Sequence, residues 1–121
     1  MRLDRLTSKS AEAFQEAGRL AARRFHQEVQ PEHLLLALLA QAEGTTRPLL
    51  QRLGVDIDDL TAALEKEMRR FPEVKGTAGG EYIATRLRTV VDRSEHEARE
   101  LKDEYTSTEH FLLAMTAKEA G

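Results

Sequence analysis

Pro31-Glu32-His33-Leu34-Leu35-Leu36-Ala37-Leu38-Leu39 decides the fold, because 77 residues later the chain spells Thr108-Glu109-His110-Phe111-Leu112-Leu113-Ala114-Met115. The first stretch is apolar almost all round, so as a helix it must be wrapped by the rest of the chain. Pro31 suits its first turn, where a missing amide hydrogen is no loss. Laid on itself at that one offset, the chain matches without a gap. Glu32-His33 falls on Glu109-His110, Leu35-Leu36-Ala37 on Leu112-Leu113-Ala114, Ala21 on Ala98, Ala40 on Ala117 and Gly44 on Gly121. Leu6 agrees in character with Ile83, and Ala13-Phe14 with Val90-Val91. Two leucine-rich helices match partly by chance, but the run Glu-His-x-Leu-Leu-Ala with matching flanks points to duplication.

Outward from the central helix, Leu3, Leu6, Ala13, Phe14, Ala17 and Ala21 follow helical spacing and predict a first helix over about 4–25. A third helix runs from about Thr46 to Leu53 and is ended by Gly54 in the left-handed conformation. Asp56 caps a fourth, with Leu60, Leu64 and Met68 on its buried side. Residues 1–70 thus form one four-helix repeat. Residues 71–80 hold Pro72, Gly76, Gly79 and Gly80 and read as a linker. Residues 81–121 resume with Ile83, Leu87, Val90, Val91, Ala98 and Leu101, then a second apolar helix from about Thr108 to Ala117. The expected fold is all-α, one domain over 1–121, a pseudo-twofold tandem repeat whose second copy stops after two of four helices. The apolar faces of helices five and six are then expected to be partly exposed and to favour self-association.

Composition narrows the function. With 18 Lys and Arg against 21 Asp and Glu, the chain has no strong field for nucleic acid or anionic lipid. It has no cysteine, so disulfides, thiolate metal sites and thiol catalysis are out. The charged start Arg2-Leu3-Asp4-Arg5 is not a signal peptide, and no segment approaches the roughly 20 apolar residues of a membrane span. A cytoplasmic protein with no nucleic-acid or membrane partner is expected.

The paired Glu-His-x-Leu-Leu-Ala helices, the opening Met1-Arg2-Leu3-Asp4-Arg5-Leu6-Thr7 and the connection Arg70-Phe71-Pro72-Glu73-Val74-Lys75-Gly76 resemble the Clp amino-terminal domain, in the ClpB rather than the ClpA or ClpC branch. The resemblance covers essentially the whole chain. It implies a non-catalytic module, tethered above a hexameric ATP-driven disaggregase that works with a co-chaperone, which recruits unfolded or aggregated polypeptides. No Gly-x-x-x-x-Gly-Lys-Ser/Thr loop occurs, so ATP belongs to motor modules outside this chain and no cofactor is expected here. The alternative the family allows is a ClpC- or ClpA-type domain that binds adaptors or phosphoarginine-tagged substrates.

The resemblance places substrate contacts on Thr7, Asp103 and Glu109, with Glu32 and His110 as secondary candidates. It also implies a groove that relatives line with leucines, where this chain carries Arg93, Glu97 and His110. Each residue has a plainer reading. Thr7 suits a helix start, and Asp103 a solvated helix end. Glu32 and Glu109 sit where a helix dipole favours a carboxylate, and Thr106-x-x-Glu109 spells a capping box. Arg19, Arg23 and Arg24 read as a solvated helix end or a dock for acidic substrate. His33 and His110, equivalent in the repeat, suggest shared packing or capping. None of the four histidines has metal-ligand spacing, so no metal is expected. A hydrolase using Glu32 or Glu109 with its neighbouring histidine is disfavoured, since adjacent helical residues point about 100° apart. A purely structural spacer for the motor is the third possibility.

Overall fold

Helix α1 (Ser8–Arg23) and helix α5 (Thr85–Glu100) are 16 residues each and stand 77 apart. They belong to a computed structural model that describes residues 3–74 and 82–115. Between them lie β1 (Glu28–Val29), α2 (Pro31–Ala40), α3 (Thr46–Arg52), α4 (Ile57–Met68) and β2 (Tyr82–Ile83); α6 (Thr108–Met115) follows. The expected repeat positions Ala117 and Gly121, and residues 75–81 between the two copies, lie outside the described residues.

The first helix starts later than its apolar spacing predicts. Leu3–Arg5 is a 3-10 turn, and Leu6 leaves the helical path to pair its backbone with Thr106. Thr7 then caps α1 by accepting from the Ser10 amide at 3.3 Å. This pairing has a twin. β2 runs parallel to β1 with Val29 opposite Ile83, the repeat equivalents of Thr106 and Leu6. The Thr7 amide donates to the Thr106 carbonyl at 2.9 Å, and the equivalent Ala84 amide to the Val29 carbonyl at 3.0 Å. Each repeat therefore lends its leading strand to the other, which satisfies backbone groups that neither would pair alone.

Both long helices also end alike. Phe25 (φ 60°) and Lys102 (φ 59°), again 77 apart, adopt the left-handed conformation. The next amides, of His26 and Asp103, return to the carbonyls of Ala21 and Ala98 at 2.9 and 2.8 Å. This is a Schellman ending built without glycine.

The core sits where α1 packs on α2 and α5 on α6. Ala13, Ala17 and Ala21 on α1 let the backbones approach, while Leu34, Leu38, Leu87, Val90, Val91 and Phe111 fill the interior. A second cluster joins Leu39 of α2 to Ile57 and Leu64 of α4. The corresponding outer side of α6 is open: Leu113 is 47% exposed beside Leu49 and Leu53, and Leu101 after α5 is 60% exposed. The exposure expected of the fifth helix is not found, since Leu87, Val90, Val91 and Ala98 of α5 are buried in the core; on α6 it is carried by Leu113, while Phe111, Leu112 and Ala114 are buried. Arg24 differs from the solvated end expected of it. It clasps Glu65 of α4 through both nitrogens at 2.6 and 2.8 Å, while Arg19 and Arg23 stay outside on Glu16.

Gly54, at φ 82°, ends α3 as expected. Lys102→Gly should therefore raise, and Gly54→Ala lower, the stability of the chain by about 1 kcal/mol each, read from urea midpoints at constant slope.

Candidate functional site

Two clefts flank the Leu6–Thr106 pairing, and the candidate residues divide between them. One, of about 190 Å³, is lined by Thr7, Lys9, Thr45, Ser107, Thr108 and Glu109, with Glu43 and Gly44. The other, of about 320 Å³, is lined by Arg5, Glu95, Arg99, Asp103, Glu104 and Thr106, with Ala98. Thr7 and Glu109 are brought together in the first cleft; Asp103 opens onto the second.

Glu109 stands in the first turn of α6, exposed, and carries the most elaborate set of hydrogen bonds among these candidates. Thr45, from the turn before α3, donates to one carboxylate oxygen, which Thr108 also approaches at 3.2 Å. Ser107 donates to the other at 3.0 Å. The Thr45 bond foremost, then those of Ser107 and Thr108, hold the Glu109 carboxyl below its usual range against the opposing pull of burial. The anion is thus fixed in place at the seam between repeats. It also borders a wider apolar groove of about 510 Å³, whose walls include Leu49, Leu53, Leu60, Leu112 and Leu113.

The capping box read at Thr106-x-x-Glu109 is displaced by one residue. Thr106 is held in the strand pairing, its amide donating to the Arg5 carbonyl at 2.7 Å, so α6 begins at Thr108. Ser107 takes the cap position, and its amide donates to His110 Nδ1 at 2.8 Å. The repeat does the same in α2, where the Gln30 amide donates to His33 Nδ1 at 2.9 Å. Shared capping is therefore what the two equivalent histidines do. His110 is only 5% exposed, so it is no open groove wall; its Nε2 lies 2.9 Å from the Asp103 carboxylate. Asp103 positions that histidine as well as facing its cleft. Arg93 and Glu97 sit half-buried on α5, and Arg93 faces a separate hollow with Thr89, Asp92 and His96.

Glu32, the repeat equivalent of Glu109, is closed. Arg86 reaches across from α5 and donates to both its oxygens, at 3.2 and 3.1 Å, and to Gln30 at 3.3 Å. At the open site the residue equivalent to Arg86 is Lys9, which lines the cleft. Thr45, Ser107 and Arg86 escaped the sequence reading. Ser107 was findable as the equivalent of Gln30; nothing in the sequence places the turn at Thr45 against α6.

No group of three or more His, Asp or Glu side chains among the described residues is arranged to hold a metal ion. Nor is any helix there long and apolar enough to cross a membrane.

The profile of the Clp repeat (R) N-terminal domain family matches residues 5–121. The chaperone protein ClpB of Bdellovibrio bacteriovorus is 41% identical over 110 residues, covering 91% of this chain and 13% of that protein. The chain therefore spans about an eighth of that relative's length. Among solved structures, the N-terminal domain of the ClpV1 ATPase from E. coli superposes with a TM-score of 0.84 at 30% identity, covering 94% of this chain and 69% of the other. A ClpV N-domain in complex with a VipB peptide superposes at 0.80 and 20% identity, over 97% of this chain and 75% of that one, a likeness of fold alone.

Replacing Thr45 with Val should raise the pKa of Glu109 toward that of an ordinary glutamate, because the bond that most favours the carboxylate is lost. Carbon-detected titration of the Glu109 side chain checks this; an unmoved midpoint would refute the role given to Thr45.

Proposed function

Since this chain belongs to the Clp repeat (R) N-terminal domain family, we propose that it is the polypeptide-capturing module of a ClpB-type disaggregase, without catalysis of its own. The observation that carries this reading is the position of Glu109, at the boundary between a polar cleft and an apolar groove. An extended, unfolded segment carries both kinds of group: side chains for the groove, and amide or cationic donors for a fixed carboxylate. Thr7 and Glu109 hold the polar part, and Asp103 supports it through His110 and contributes to the second cleft. The peptide complex of a ClpV N-domain supplies a precedent for this class of partner.

In the same proposal the parent protein is cytoplasmic and hexameric, takes ATP in separate motor modules, and works with a co-chaperone on aggregated proteins. A reading as a phosphoarginine receptor is less favoured. It asks for both Glu32 and Glu109, and Arg86 already occupies Glu32.

Isotope-labelled chain titrated with a permanently unfolded model protein should show shifts gathered at Thr7, Thr45, Ser107, Glu109 and Leu113. Glu109→Ala should weaken binding several-fold; because it also removes the acceptor of the Thr45, Ser107 and Thr108 hydroxyls, it should cost about 1 kcal/mol of stability while the chain stays folded. Shifts scattered over the surface, or binding indifferent to Glu109→Ala, would overturn the assignment.

A further inference from the structure

His26 and His33 form a buried imidazole pair that the function proposed above does not use. His26 is 5% exposed and His33 fully buried, with His26 Nδ1 2.8 Å from His33 Nε2. The cap bond fixes the proton positions. Because the Gln30 amide donates to His33 Nδ1, that nitrogen bears no hydrogen, and neutral His33 carries its proton on Nε2. It must donate to His26 Nδ1, which leaves the His26 proton on Nε2. Neither ring can take a second proton without setting two N–H groups against each other.

The pair lies beneath the segment by which the chain leaves α4. Phe71 packs on both rings, its centroid 5.3 Å from His26 and 5.5 Å from His33. Beyond it, Glu73 forms a backbone bridge with His26, and the Val74 amide donates to the Phe25 carbonyl at 2.7 Å. Repeat two supplies an internal comparison. There the residues equivalent to His26 and His33 are Asp103 and His110, so the same geometry holds a carboxylate beside an imidazole.

We propose that the His26–His33 pair is an acid-sensitive clasp on Phe71–Val74: two neutral rings hold the segment, and a proton on either releases it. The surroundings agree. Burial, then the positive charge of Arg24, keep His26 below its usual range, with only Glu73 acting the other way. Burial, His26 and Arg24 together push His33 down to about 4. Arg24 is engaged with Glu65 of α4, and Glu28 of β1 shares the small hollow beside His26 and Phe71.

The sign follows from linkage. Above about pH 6.5 both rings are neutral whether the clasp is closed or open, and the full contribution is present. Below it the opened form takes protons that the closed form refuses. The closed-to-open ratio then falls by up to about tenfold per pH unit for each histidine, until the closed form is itself protonated, near 4 for His33.

The test uses the 121-residue chain. Nitrogen-detected spectra should show His33 protonated on Nε2 alone and neutral from pH 7 to 5. Over the same range the exchange protection of the Val74 amide should fall at least tenfold. His26→Asp, which copies the carboxylate–imidazole pair of repeat two, should raise the His33 pKa and keep Val74 protection level. A His33 that takes up a second proton between pH 7 and 5, a proton on its Nδ1 at pH 7, or a His26→Asp profile that declines in step with the parent would overturn the proposal. The first two are read on the unsubstituted chain and stand even if the variant does not fold.

Discussion

The exchange of leading strands between the two repeats is the constraint on which the rest of the structure depends. Leu6 pairs with Thr106, and Ile83 with Val29, so each copy completes backbone hydrogen bonding that the other leaves open. A short strand pair exposed alone would be marginal in water. Here each pair is pinned between a Schellman turn on one side and a helix cap on the other. The turn at Phe25 leads into β1 and then the cap of α2; the turn at Lys102 leads into Thr106 and then the cap of α6. Seam, turns and caps therefore form one cooperative unit in each copy, and the core of α1, α2, α5 and α6 closes over both.

The symmetry of the backbone makes the differences in side chains informative. At one seam Arg86 closes on Glu32, a pair between partly exposed groups whose chief effect is to occupy the carboxylate. At the other, Lys9 takes the place of Arg86, and Glu109 is held by hydroxyls that orient it without neutralising it. The same contrast recurs beneath the helix caps. Asp103 sets a carboxylate beside the His110 imidazole, whereas His26 sets a second imidazole beside His33 and holds it below its usual range. Duplication thus gave one scaffold with two versions of each polar position, and a few side-chain differences decide the chemistry of each version.

The placement of Glu109 follows from this arrangement. Its polar cleft is lined by residues next to the Leu6–Thr106 pairing, Thr7 and Ser107, and its apolar neighbour by leucines of α3, α4 and α6. Neither feature belongs to one helix alone.

Much of this was legible in the sequence. Helical periodicity located the six helices, Asp56 and Gly54 marked their boundaries, and the gapless offset revealed the duplication, because local spacing and turn chemistry are written residue by residue. The family resemblance supplied Thr7, Asp103 and Glu109 as candidates. Three things were decided only by tertiary structure. The start of α1 and the cap of α6 moved because the Leu6–Thr106 pairing, 100 residues apart in the chain, outweighed helical propensity. Closure of Glu32 by Arg86 and fixing of Glu109 by Thr45 depend on which loops and helices meet across the seam. The histidine pair depends on a left-handed Phe25 that no glycine announced. Pattern along the chain determines which elements form; which polar groups end up bonded, and which stay open to a partner, is settled when distant segments compete for the same donors and acceptors.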